Sequence, residues 1–306
     1  MNPASHRSVP SSAMPALSVL LVGDSKSAEF RYALAALGDG RQLAVAEDVE
    51  TAERLIASGK CTPDVLVVAQ SFPGQFSAAA VERLRRLAPL ARVVGLLGSW
   101  CEGEQRTGRP WPATIRCYWH QWPARAARQL RAIRDRQLAA WSLPHTATEE
   151  DRCLCEAKSD ATSRAGLVVV WSCNQAVAEW LCDACTARGW ATVWLRPDWH
   201  AAVSGAALGI FEGANLSGPQ QDQLHRLCEL VEPAPVLALL DFPRIEDVAC
   251  TMQAGAAAVL SKPVQLADLY WQLDQLAHSA QCGQQPQPNG AAGSRKEMEG
   301  RAPSRP

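Results

Sequence analysis

Apolar and polar positions alternate along this chain in a pattern that occurs twice. Between residues 17 and 141, five short apolar runs read as strands: Leu17–Val22, Arg41–Ala46, Val65–Ala69, Arg92–Leu97 and Ile115–Trp119. Between them lie stretches with helical character, Ser27–Leu37, Val49–Ser58 and Ala78–Leu87. In the last of these, Ala80, Leu84 and Leu87 fall at i, i+4 and i+7 and form one apolar face. Pro123 then opens a helix from about Ala124 to Trp141. The second half repeats the scheme. Its strands are Leu167–Trp171, Ala191–Leu195, Leu208–Phe211, Val236–Leu240 and Ala257–Leu260, and its helices are Gln175–Arg188, Pro219–Val231, Ile245–Ala254 and Leu266–His278. The stretch Asp198–Ser204 is too short to assign.

Strands alternating with helices predict parallel sheets covered on both faces. Three polar stretches divide the chain. Residues 1–16 are rich in Ser and Pro and read as a disordered N-terminus, 142–165 as a linker, and 280–306 as a disordered tail. The two domains are therefore 17–141 and 166–279. The fold class that follows is α/β, with two doubly wound, five-stranded parallel sheets in tandem. In such sheets ligands meet the crevice at the carboxyl ends of the strands. The residues following strands one, three, four and five are the ones to inspect.

Composition narrows the function classes. The chain has 306 residues, with 30 basic and 31 acidic side chains and a formal net charge of −1, so no global field draws it to nucleic acid or to an anionic membrane. No apolar run approaches the roughly 20 residues that a membrane helix needs. The opening residues lack the apolar core of a secretory signal, and the expected location is cytoplasmic. The eleven cysteines are odd in number and scattered, several inside apolar runs (Cys117, Cys173, Cys228, Cys250). This reads as reduced thiols and not as a disulfide framework.

The segments PVLALLD (Pro235–Asp241) and MQAGAAAVLSKPV (Met252–Val264) resemble the receiver domain of bacterial response regulators. In the first half, SVLLVGDSKSAEF (Ser18–Phe30) and PDVLVVAQSFPG (Pro63–Gly74) are similar to that family's first strand with its acidic pair and to its third strand with the following turn. The resemblance implies a flavodoxin-like, receiver-type fold for both halves. It also implies a chemistry: carboxylates after strand one and an aspartate after strand three hold magnesium, the aspartate accepts a phosphoryl group, and a hydroxyl after strand four and a lysine after strand five contact the new anion. The implied partner is a protein, a histidine kinase or another signalling protein.

The chain departs from that pattern at most of these positions. In the first half the acidic pair reads Gly23 and Asp24, the acceptor position is Ala69, and strand five ends without a lysine. In the second half Trp171 and Ser172 replace the acidic pair and Glu212 is nearest the acceptor position. The hydroxyl position is Leu240, or Asp241 with a shift of one, and Lys262 alone is retained. Asp24, Ala69, Glu212, Asp241 and Lys262 thus form a vestigial pocket. Lys262 either pairs there with Glu212 or Asp241, or is a solvated charge.

Between Arg106 and Arg136 tryptophan and arginine are dense. Trp111, Trp119 and Trp122 with Arg109 and Arg116 are expected to build a partner-binding face. The other reading of the tryptophans is that they fill a core left open by a missing helix. Arg125, Arg128, Arg131 and Arg134 recur every three residues, either as a solvated stripe or as a face for phosphates or an acidic partner. Cys153, Cys155, Cys182 and Cys185 could together hold zinc or serve redox chemistry, although the second pair lies within a helix. The six histidines have no metal-ligand spacing. The expectation is a non-enzymatic signalling module that acts by protein–protein recognition without the phosphoacceptor aspartate and without a cofactor. The alternatives are a phosphorylatable regulator using Glu212 with magnesium, and a zinc- or redox-linked adaptor.

Overall fold

The structure is a computed structural model, and it describes residues 16–35, 41–156, 164, 166–196, 198–214, 216 and 218–283. The expected disordered N-terminus, and the expected tail beyond residue 283, lie outside the described residues. The first half comprises β1 (Leu17–Gly23), α1 (Ala28–Ala35), β2 (Arg41–Ala46), α2 (Val49–Ala57), β3 (Val65–Gln70), α3 (Ala78–Leu87), β4 (Arg92–Leu97), α4 (Glu104–Thr107), β5 (Ile115–Tyr118) and α5 (Trp122–Arg134). A further helix, α6 (Glu149–Glu156), follows. The second half comprises β6 (Leu167–Trp171), α7 (Gln175–Ala187), β7 (Ala191–Leu195), β8 (Ala206–Glu212), α8 (Gly218–Val231), β9 (Val236–Asp241), α9 (Ile245–Gln253), β10 (Ala258–Lys262) and α10 (Leu266–Gly283).

Both sheets are wholly parallel. The first runs β2-β1-β3-β4-β5 and the second, read from its other edge, β7-β6-β8-β9-β10. In each case the order is 2-1-3-4-5, the flavodoxin-like winding, with its switch point beside the first strand. The near-continuous apolar runs are explained by burial on both faces. Leu20, Val22, Leu66 and Val68 face Ala52 on α2 and Val81 and Leu84 on α3, whereas Val19, Leu21, Val65 and Val67 pack with Phe30 on α1 and Leu130 on α5. In the second sheet Val168, Val170, Leu208 and Ile210 share a cluster with Leu181 on α7 and Leu269 on α10.

Two features differ from the sequence expectation, and the stretch it left unassigned, between β7 and β8, holds no helix among the described residues. The stretch 142–165 is not a plain linker. Residues Thr148 and Asp151 cap α6 reciprocally, and Arg152 is buried and donates to the carbonyls of Ala140 and Pro144. Lastly, α10 continues to Gly283, past the expected end at His278.

The halves are joined through α5 and α10. Arg125 Nε donates to Asp268 Oδ2 at 3.0 Å and Arg128 Nη2 to Asp268 Oδ1 at 2.7 Å, and Arg128 also pairs with Glu156 at 2.9 Å. The Arg131 guanidinium lies 5.6 Å from the centre of the Trp271 ring, within cation–π range. Ala124 packs in the same apolar cluster as Leu269 and Leu273. Arg125 and Arg128 of the arginine stripe are therefore not a solvated face, and their acidic partners lie in the same chain. Arg131 and Arg134 are exposed, and both reach Asp135. Burial by itself lowers the Arg125 pKa; the Asp268 carboxylate reverses the sign and leaves it raised.

Candidate functional site

The second carboxyl rim is assembled from the ends of β6, β8, β9 and β10. Parallel register places Asp241 directly beside Lys262, and the end of β8 brings Glu212 to the same point. Lys262 Nζ contacts Glu212 Oε1 and lies 3.0 Å from Asp241 Oδ1. Ser172 Oγ, from the turn after β6, donates to the other Glu212 oxygen at 2.8 Å and accepts from the Asn174 amide at 3.0 Å. The side chain of Glu212 is 10% exposed and that of Asp241 is 49% exposed. Lys262 is thus a paired cation and not a solvated charge. The inner pair carries most of the interaction, because the outer one is screened by water. Ser172 forms the fourth corner of this cluster. Its sequence position marked it only as a lost carboxylate, since a side-chain hydroxyl gives no pattern by which to read its partner.

The first rim is built differently. Gly23 has φ +112°, and a Cβ added there would lie 2.7 Å from the Ala69 carbonyl oxygen and 3.1 Å from the Phe76 ring. No acidic side chain fits at that position. Asp24 turns outward and accepts from the Lys26 amide at 2.7 Å. Ala69 is fully buried. The rim is closed by side chains from the following loops. Glu29 of α1 accepts from the amide and hydroxyl of Ser99, and Ser99 Oγ accepts from Trp119 Nε1 at 2.9 Å. The Trp119 ring stacks edge-on against Tyr32 and His120. Beside it Gln70, Cys101, Glu104 and Arg116 form a buried polar group in which Arg116 pairs with Glu104 at 2.8 Å.

These contacts correct the expected partner-binding face. Trp111 is 7% exposed, and Trp119 and Trp122 are 0% exposed. Trp111 fills the place that α4, only four residues long, leaves open. Its ring lies against β4, where a Cβ on Gly95 would come within 3.2 Å of it, and its Nε1 donates to the Phe76 carbonyl at 2.9 Å. Trp122 tilts against Trp141 in the core. Arg116 is engaged by Glu104, and of the five residues only Arg109 is fully on the surface. Tryptophan density here signals a core short of one helix.

The cysteine pairs do not converge. Cys153 and Cys155 lie on α6, Cys182 and Cys185 on α7, and among the described residues no group of three metal-ligating side chains gathers anywhere. Burial raises the pKa of Cys153 and Cys182 and pushes Cys185 up to about 12, the opposite of what a reactive thiolate needs. Among the described residues no helix is long and apolar enough to cross a membrane.

No protein-family model matches the chain, and no curated sequence matches it. Solved structures do. A CheY-like response regulator receiver domain protein from Methanospirillum hungatei is 12% identical, with a TM-score of 0.33, covering 39% of this chain and 99% of its own. A probable two-component system response regulator/GGDEF domain protein is 11% identical at a TM-score of 0.33, covering 87% of this chain and 99% of its own. The C-terminal part of Escherichia coli RcsC, containing a linker region and a phosphoreceiver domain, is 15% identical at 0.32, covering 89% and 96%. The receiver-type fold itself stands on the strand order and parallel register of the two sheets.

Proposed function

We propose that this chain is a response-regulator-like signalling protein whose two receiver-type domains act through protein–protein contact, with no phosphoryl chemistry of their own. One observation carries the reading. At the only rim that keeps the lysine, Lys262 is already held between two permanent carboxylates, Glu212 and Asp241, while at the other rim Gly23 and Ala69 offer no side-chain oxygen. Magnesium keeps several of its waters and binds through one or two carboxylates that are free to receive it. At the second rim two carboxylates and one hydroxyl gather, and an ammonium group stands among them. The arrangement imitates, with fixed charges, the contacts that a transient anion would make with the same lysine. The recognised partner is a protein, a histidine kinase or another signalling protein, and the location in the cell is the cytoplasm. The test is incubation of the full chain with acetyl phosphate and magnesium, followed by intact mass measurement. The expected spectrum shows no added phosphoryl group. A gain mapped to Glu212 overturns the reading and makes that residue a working acceptor.

A further inference from the structure

The loop that follows Asp241 reaches the other half of the molecule. The Phe242 ring stands edge-on to the His120 ring at 6.5 Å between centroids, and Arg244 Nη1 lies 3.7 Å from Glu102 Oε2. The other oxygen of Glu102 is 3.3 Å from His120 Nε2. Glu102 therefore ties a buried histidine of the first domain to an arginine of the second. Phe242 is a non-glycine residue at φ +39°, a left-handed conformation that a bulky side chain adopts only when its surroundings hold it there. Both neighbours of the loop are held. On the chain's N-terminal side Asp241 pairs with Lys262 and its backbone N–H donates to the Ala214 carbonyl, and on the C-terminal side the Arg244 amide donates to Asp247 Oδ2 at the start of α9. On the far side His120 stacks flat on Tyr118 and edge-on to Trp119, whose indole is bonded to Ser99.

We infer that loop 242–244 is a latch between the two rims: the Lys262 cluster holds Asp241, Asp241 holds Phe242 in its left-handed conformation, and Phe242 with Arg244 fixes His120 and Glu102 of the first domain. A change of charge at Glu212 or Asp241 is thereby felt at Trp119, across the domain boundary. This deepens the signalling reading above, which supplies the reason for such a link, but the contacts stand independently of any partner. Coupling of this kind is established by perturbing both ends, since spatial continuity alone does not prove it.

The experiment uses the full chain labelled with 15N at its tryptophan indoles. Trp119 Nε1–H reports the first rim, and Trp111, bonded to Phe76 on another face, reports whether the first domain keeps its fold. Lys262→Met is expected to move the Trp119 resonance while leaving that of Trp111 in place. In the Phe242→Gly background, where the ring is gone and the left-handed backbone is free of strain, the same Lys262→Met change is expected to leave Trp119 still. Glu102→Gln, which cuts the link from the first-domain side, is expected to silence the response in the same way. An unmoved Trp119 in Lys262→Met overturns the latch, as does an equal movement with and without Phe242. Neither result bears on phosphoryl uptake, so failure of the latch and failure of the proposed function are separately visible.

Discussion

Removing Asp268 tests the joint between the halves most directly. Its carboxylate is almost wholly buried and receives two guanidinium groups at 2.7–3.0 Å. In Asp268→Ala, Arg128 keeps Glu156 as partner, whereas Arg125, 8% exposed, keeps only the Gln121 side-chain oxygen at 3.3 Å. Leaving a buried charge without its counter-ion costs about 3–5 kcal/mol. Because one of the two arginines re-pairs, the lower part of that range applies, about 3 kcal/mol. With a urea m-value of about 1–3 kcal/mol/M for domains of ordinary size, the midpoint falls by roughly 1–3 M. Urea unfolding followed by tryptophan fluorescence reads this, with Trp271 beside Arg131 as a reporter within the joint. The second variant, Arg125→Met in the Asp268→Ala background, removes the orphaned charge and should recover about 2 kcal/mol. A loss below about 1 kcal/mol in the single variant, or no recovery in the double, refutes the view that this buried pair ties the halves together.

Lys262→Met should destabilise by about 2–3 kcal/mol, less than a fully buried pair because Asp241 reaches water; adding Glu212→Gln should restore most of it, as measured by a double-mutant cycle in urea. Gly23→Ala should cost about 1–3 kcal/mol, since it places a methyl against the Ala69 carbonyl at a left-handed φ, and thermal unfolding would show it. Burial pushes the Cys117 and Cys185 thiols from 9.0 up to about 12. Their folded-state pKa values are raised, so the stability they contribute is complete below about pH 9 and is lost as pH climbs toward about 12. Urea midpoints taken across that window should fall, and should fall less in Cys117→Ala and Cys185→Ala.

The periodic pattern carried nearly all of the architecture, because strands buried on both faces leave long apolar runs that few other environments tolerate. The lysine cluster was legible for a related reason: Glu212, Asp241 and Lys262 each sit at a strand end, and in a parallel sheet strand ends are brought together by the fold itself. Side-chain partners between distant segments left no such trace. The spacing of Arg125 and Arg128 announced a charged helix face, yet nothing near them indicated Asp268, some 140 residues on, as their acceptor. The tryptophans misled because the same residue type serves hot spots and cores. What distinguished them was the length of α4: four residues cannot cover the sheet, and a bulky ring had to.

The commitment of α5 to α10 has a consequence for stoichiometry. Each half shields a helical flank of the other, so neither flank is free to meet a second molecule. The two carboxyl rims are thus carried on one joined body, and a ligand that touched both would incur no penalty for taming a flexible tether.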